Sequence, residues 1–290
     1  MIRQRLKRLS PEWQNRLRRL SRLRWLRKAM IVRDYGVSLR ERPLGVIRYV
    51  LLDPEVGDFS YELDNEGELV GFLAHTLGVD EVALAGYLAE MHSDPTFSSE
   101  LAQRTRRRID MKRHIGFGPR IGWYAAVRAL KPKLVAETGI KHGLGSLVVL
   151  QALQRNAQEG SPGRLISCDL DPFSGWVVPE RLRGHWRAVF GSTFDVLDDT
   201  LAGEEVDLFI CDTPPEDRFE SFDVHTAMRH AAPSIVMITG AGNRTTALRE
   251  MTAELGGRFS CFAERPRHDI YPGAGLGVAV ISREISLPTT

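Results

Sequence analysis

Acidic residues stand at the ends of several short apolar segments in the second half of the sequence. KLVAET ends in Glu137 and Thr138, RLISCD ends in Asp169, and VDLFICD ends in Asp212. If these segments are parallel strands, their carboxyl ends meet at one edge of a sheet, where ligands of such sheets bind. Carboxylates at that edge suit a ligand that offers hydroxyl groups or a cationic group.

A glycine-rich turn follows the first of these segments. VAETGIKHGLGS, residues 135–146, places Gly139, Gly143 and Gly145 between the apolar segment and a helical pattern. Glycines let the backbone approach a ligand closely, and helix amides after the turn point into the crevice. The spacing does not fit the dinucleotide fingerprint G-x-G-x-x-G, and no G-K-S or G-K-T completes a phosphate-binding loop.

This turn resembles the first motif of class I S-adenosylmethionine-dependent methyltransferases. It is closest to small-molecule O-methyltransferases and to the cephalosporin-hydroxylase and rhamnosyl-methyltransferase group, and the resemblance covers about residues 117–283. It implies S-adenosyl-L-methionine as the cofactor, with Asp169 accepting the ribose hydroxyls and Asp171 as its competitor. The cofactor-binding residues that it implies are Glu137, Thr138, Gly139, His142, Gly143, Gly145, Ser146, Asp169, Ser192 and Thr193. For Ser192 and Thr193 the alternative is helix capping, and for His142 a turn residue bonded to backbone.

In metal-dependent members of that group, the residue that matches Asp212 is a Mg²⁺ ligand. This sequence differs from them at the next strand, where Thr239 and Gly240 stand in place of an acid and Asn243 is the nearest substitute. A hard divalent cation held by so few oxygen ligands would bind weakly. We therefore predict no metal ligands.

Methyl transfer to oxygen requires an in-line approach and removal of the hydroxyl proton. Asp212 and His268 are the predicted catalytic residues, although His268 could equally be an exposed loop histidine. His225, Asp269 and Tyr271 are the predicted substrate-binding residues.

The arrangement of apolar segments predicts an α/β fold. Five strand-like segments alternate with helix-length stretches, and two more, RFSCFAE and GLGVAVISR, follow a last helix near 243–256. This predicts a Rossmann-like methyltransferase sheet of seven strands, mostly parallel with an antiparallel last strand, and helices on both faces. The predicted units are a basic amphipathic helix (1–32), a small helical cap (33–115) and the methyltransferase domain (116–290).

The basic charge is concentrated at the N-terminus. Residues 1–30 hold eleven Arg and Lys against one acid, while the whole chain has a net charge of only +2. Leucines and Trp13 recur there at spacings of three and four, which predicts a helix from about Pro11 to Met30 with one apolar stripe. Such a helix could lie on an anionic membrane, bind a partner protein, pack on its own domain or touch nucleic acid.

The expected function is methyl transfer to an oxygen atom of a small-molecule or glycosyl-type acceptor. A nucleic-acid methyltransferase is the first alternative, but DTPP (212–215) lacks the aromatic residue that would stack on a flipped base. An inactive scaffold attached to a membrane or partner is the second. No apolar segment suggests a signal peptide or a membrane span, so a cytoplasmic protein is expected, with peripheral membrane attachment as an option. Cys168, Cys211 and Cys261 show no metal-ligand spacing and are predicted to be core thiols.

Overall fold

The computed structural model describes residues 28–30, 32–33, 42–51, 60–108, 111–112, 115–213, 217–230, 233–240 and 246–281. Most of the predicted N-terminal helix and Asn243 lie outside these residues.

A seven-stranded sheet forms the centre of the molecule, in the order β3-β2-β1-β4-β5-β7-β6. Its strands are β1 (Leu134–Thr138), β2 (Arg164–Asp169), β3 (Trp186–Phe190), β4 (Leu208–Cys211), β5 (Ile235–Thr239), β6 (Arg258–Phe262) and β7 (Leu276–Val280). β1 to β5 pair in parallel, and β7 is antiparallel to both of its neighbours, β5 and β6. The strand order reverses between β1 and β4, so the ligand-binding crevice is expected beyond the ends of these two strands.

Helices cover both faces of the sheet. The named helices are α1 (Pro43–Leu51), α2 (Glu66–Leu77), α3 (Glu81–Ser93), α4 (Pro95–Thr105), α5 (Ile121–Leu130), α6 (Leu144–Gln158), α7 (Thr193–Leu201), α8 (Asp217–His230) and α9 (Thr246–Glu254), and not all of them contact the sheet. A single-turn 3₁₀ helix, Gly118–Arg120, leads directly into α5. None of the described helices combines the length and the hydrophobicity that crossing a bilayer requires.

Two hydrophobic clusters fill the space between the sheet and its helices. The larger one joins residues of α2 and α3, such as Leu69 and Leu84, to α5, α6 and the strands. The smaller one lies on the opposite face, under α7, α8 and α9. The helices before the sheet therefore share one continuous core with it, which fixes the segments around residues 61 and 120 at the crevice.

The predicted fold class is confirmed, and each strand lies within two or three residues of its predicted bounds. The prediction of three core thiols is wrong for Cys261. Cys168 and Cys211 are buried, but Cys261 is exposed because it lies on β6, which forms one edge of the sheet.

Candidate functional site

A cavity of about 660 Å³ opens beyond the carboxyl ends of β1 and β4. This volume lies within the range of small-molecule and cofactor sites. Its walls come from the turn after β1, the ends of β2, β4 and β5, the 3₁₀ turn before α5, and the loop between β6 and β7. The site therefore lies where the strand order predicts it.

The turn after β1 is held in a conformation that suits glycine. Gly139 has φ +89° and Gly143 has φ +95°, both in the left-handed region. A Cβ atom on Gly139 would overlap the carbonyl oxygen of Asp212 and lie 2.7 Å from its carbonyl carbon. The absence of a side chain at Gly139 thus lets the turns after β1 and β4 pack against each other.

Asp169 fixes the same turn from the neighbouring strand. Its Oδ2 accepts hydrogen bonds from the backbone amides of Ile140 (2.7 Å) and Lys141 (2.8 Å), and its Oδ1 accepts one from the amide of Asp171 (2.8 Å). Lys141 is a non-glycine residue with positive φ, +53°, and its bond to Asp169 supports that conformation. A carboxylate oxygen has a second acceptor position, so Asp169 can also accept a ligand hydroxyl at the cavity wall.

Glu137 is buried behind the cavity and does not line it. Its Oε2 accepts hydrogen bonds from the hydroxyls of Ser146 (2.5 Å) and Ser167 (2.8 Å), while its buried Oε1 accepts none from the residues that the structure describes. Burial raises the pKa of Glu137 to about 7, although the two serine hydroxyls oppose that shift. Oε1 lies beside Gly145, where a Cβ atom would come within 2.8 Å of it.

An ion pair between Arg120 and Asp212 forms another part of the cavity wall. Nε and Nη2 of Arg120 donate to Oδ2 of Asp212 at 3.2 and 2.9 Å, and Thr239 donates its hydroxyl hydrogen to Oδ1 at 2.5 Å. The two charged side chains are 13% and 14% exposed. Although burial alone would lower it, the pKa of Arg120 is raised by Asp212, so the guanidinium stays charged.

Tyr61 and Glu264 join the segment before α2 to the loop between β6 and β7. The Tyr61 hydroxyl donates to Oε2 of Glu264 at 2.8 Å, and Oε1 of Glu264 accepts from the amides of Ala274 (2.7 Å) and Gly275 (3.0 Å). Burial, followed by the nearby charge of Glu264, raises the pKa of Tyr61 well above 10. Tyr61 is therefore a protonated hydrogen-bond donor at neutral pH.

The structure brings many of the predicted residues to this cavity. The predicted residues that line it are Gly139, His142, Gly145, Asp169, Ser192, Thr193, Asp212 and Tyr271. Ser192 is the N-cap residue of α7, but its side chain makes no capping hydrogen bond. Glu137, Thr138, Gly143 and Ser146 lie behind this lining, in or next to the turn that forms it.

Three predicted residues lie away from the cavity lining. His225 is exposed on α8, where its Nδ1 contacts the carbonyl oxygen of Ser221 at 2.6 Å. His268 is exposed, with φ +50°. Asp269 is buried in an ion pair with Lys112 and also accepts a hydrogen bond from the Tyr271 amide.

Sequence reasoning missed several residues of the wall, namely Tyr61, Pro119, Arg120, Phe219 and Glu264. Three of them precede the first strand, and local spacing does not reveal that the helical segment brings them to the strand ends. Arg120 had one available signal, since it is a charged residue next to the apolar stretch IGWYAAV.

The groups around Asp212 do not fit a divalent cation. Both of its oxygens already accept hydrogen bonds, and the neighbouring guanidinium carries a positive charge that would repel a metal ion. In the described part of the chain, no three His, Cys, Asp or Glu side chains come together as a ligand set.

A sequence family described as a methyltransferase domain matches residues 136–240. Residues 136–240 form a methyltransferase domain. The match spans the glycine turn, Asp169 and Asp212, so the domain contains much of the cavity wall. The flanking segments that carry Arg120 and Glu264 complete the wall from outside the matched range.

Solved structures of methyltransferases are similar to this chain. A protein from Klebsiella pneumoniae, described as an O-methyltransferase, is 14% identical with a TM-score of 0.50, over 71% of this chain and 99% of that one. The O-methyltransferase TomG from Streptomyces achromogenes, solved with S-adenosylmethionine, is 15% identical with a TM-score of 0.46, over 66% and 91%. An O-methyltransferase from Bacillus cereus, solved with S-adenosylhomocysteine, is 11% identical with a TM-score of 0.44, over 74% and 97%. No curated protein sequence shows significant similarity to the chain.

Proposed function

We propose that the chain transfers the methyl group of S-adenosylmethionine to an oxygen atom of a small-molecule acceptor. The observation that carries this proposal is the position of Asp169. It lines a cavity at the switch point of the sheet, inside a methyltransferase domain, and it fixes the glycine turn through two backbone amides.

The residues around Asp169 fit the nucleoside part of the cofactor. Asp169 has acceptor capacity left for one ribose hydroxyl, and Ser192 and Thr193 offer hydroxyl groups farther along the same wall. The cofactor supplies a methyl group on a sulfonium sulfur, and its positive charge suits a wall that contains carboxylates. Glu137, behind the turn, adds to that negative potential when it is ionised.

The rest of the cavity is available for an acceptor. Tyr61, Arg120, Glu264 and Tyr271 line the side that is built by segments outside residues 136–240. A cavity of about 660 Å³ that is lined by such side chains favours a small molecule over a polymer. We therefore place the acceptor on this side of the cavity.

Calorimetry with S-adenosylhomocysteine tests the cofactor half of the proposal. The full chain should bind one equivalent, and Asp169→Ala should weaken binding about tenfold or more, because a hydrogen bond to a charged group contributes about 1.5–3 kcal/mol. Asp171→Ala is the matched control, since Asp171 also lines the cavity but bonds the Phe173 amide instead of the turn. Absence of binding by the unmodified chain, or an equal effect of both variants, would contradict the proposal.

We also propose that residues 1–30 attach the protein to anionic membranes. Their eleven basic residues and the apolar stripe predicted from their sequence support this, because both features favour adsorption to an anionic surface. The end of the segment is tied to the body, since Lys28 donates to the carbonyl oxygen of Tyr49 at 2.6 Å.

Co-sedimentation with phosphatidylserine-containing vesicles tests this attachment. The full chain should sediment with the vesicles at low salt, and a chain that lacks residues 1–27 but keeps Lys28 should remain in the supernatant. Equal sedimentation of both chains would refute membrane attachment through this segment.

A further inference from the structure

The wall that faces the acceptor side of the cavity carries a partly buried cation. Arg120 is only 13% exposed and is held by two hydrogen bonds to one oxygen of Asp212. Its guanidinium also lies over the ring of Trp123, 5.6 Å from the ring centroid. An arginine that is held on two sides keeps its charge at a fixed place on the wall.

The carboxylates and the phenol near Arg120 are poorly placed to remove a proton from an acceptor. Asp212 accepts hydrogen bonds on both oxygens, and Arg120 balances its negative charge. Glu264 accepts from Tyr61 and from two backbone amides, and Tyr61 is itself a donor. His268, the predicted base, is exposed and does not line the cavity.

We propose that Arg120 binds the acceptor as an oxyanion, so that the acceptors are hydroxyl compounds acidic enough to ionise before methyl transfer. This inference rests on the proposed function. The hydroxyl proton leaves to water, and the guanidinium stabilises the resulting oxyanion. An oxygen lone pair then forms the O–CH₃ bond as the C–S bond breaks, and the electrons of that bond remain on sulfur as a neutral thioether. Asp212 is on this view a positioning residue that holds Arg120.

Aromatic side chains next to Arg120 favour a ring-bearing hydroxyl compound. Tyr61 and Tyr271 both line the cavity, with ring centroids 5.6 Å apart, and Pro119 lies beside Arg120. A phenol combines a flat apolar ring with a weakly acidic hydroxyl group, so it fits both features of this wall.

Binding of 4-nitrophenol to the protein saturated with S-adenosylhomocysteine tests the proposal without turnover. The phenolate of this probe absorbs visible light, so a pH titration reports whether the bound probe is ionised. With the unmodified protein, the ionisation midpoint of the bound probe should fall by about one pH unit or more, as expected for an opposite charge within about 4–6 Å.

Three variants show whether Arg120 causes the shift. Arg120→Lys keeps a cation and should retain part of it, whereas Arg120→Gln should abolish it. Because Arg120→Gln leaves Asp212 without its partner, the double variant Arg120→Gln/Asp212→Asn repeats the test without an unpaired charge. The matched control is Arg265→Gln, which removes an exposed arginine that pairs with Glu68 away from the cavity.

The outcomes separate this proposal from the proposed function. A midpoint shift that is lost with Arg120 and kept in the Arg265 variant supports the oxyanion. Probe bound in its neutral form, a shift that survives both Arg120→Gln variants, or no probe binding despite normal S-adenosylhomocysteine binding overturns it. Failure of the unmodified chain to bind S-adenosylhomocysteine would instead overturn the proposed function.

Discussion

Replacement of Glu137 by Gln should make the folded protein less sensitive to alkaline pH. Burial raises the pKa of Glu137 to about 7 from its ordinary value of 4.5. Between these two values the folded chain holds a proton that the unfolded chain has released, so the free energy of unfolding falls as the pH rises. At about 1.36 kcal/mol per pH unit, the full effect is about 3 kcal/mol above pH 7, with most of it developing between pH 5 and pH 8.

Urea denaturation of the ligand-free protein at pH 5 and pH 8 measures this effect. Glutamine is uncharged at both values, and its amide oxygen can still accept from Ser146 and Ser167. The unfolding free energy of the variant minus that of the unmodified protein should therefore rise by about 2–3 kcal/mol from pH 5 to pH 8.

The matched control is Glu159→Gln. The pKa of Glu159 is lowered, first by its hydrogen bond to Arg128, so this carboxylate is ionised at both pH values. Its replacement should change stability equally at pH 5 and pH 8. If Glu137→Gln and the unmodified protein show the same pH dependence, Glu137 does not retain a proton in the folded state and the reasoning fails.

Two further substitutions test the packing of the site. Gly139→Ala should lower the free energy of unfolding by about 2–5 kcal/mol, because the added Cβ combines a left-handed φ with a clash against Asp212. Gly160→Ala should lower it by only about 1–2 kcal/mol, because φ is similar, +85°, but no atom lies within 4 Å of the added Cβ. Equal losses in thermal denaturation would contradict the packing argument. Tyr61→Phe should cost about 1–3 kcal/mol in urea denaturation, because Glu264 loses a buried donor, and an effect below about 0.5 kcal/mol would mean that the bond is not maintained in solution.

The sequence predicts the half of the site that strand ends provide. Asp169 and Asp212 stand at the carboxyl ends of buried parallel strands. The alternation of apolar segments with helix-length stretches is enough to predict that these ends meet at one edge of the sheet. Gly139 is likewise predictable, because a turn between a strand and a helix restricts the backbone there. These features depend on local patterns alone.

The other half of the site depends on tertiary packing that no local pattern reveals. Tyr61 and Glu264 are about two hundred residues apart, yet they share a hydrogen bond. Glu137 is in the predicted place but is turned into the interior, where the hydroxyls of Ser146 and Ser167 both donate to its Oε2. Asp269 was predicted to bind substrate, but the basic segment before α5 brings Lys112 to it as a buried partner.

A crystal structure of the full chain with S-adenosylhomocysteine tests whether the cavity beyond β1 and β4 holds the cofactor. We predict that a ribose hydroxyl lies within hydrogen-bonding distance of Asp169 and that the thioether sulfur lies on the side of the cavity that holds Arg120 and Asp212. Ligand density outside this cavity, such as in the groove lined by Pro172 and Phe190, would contradict it.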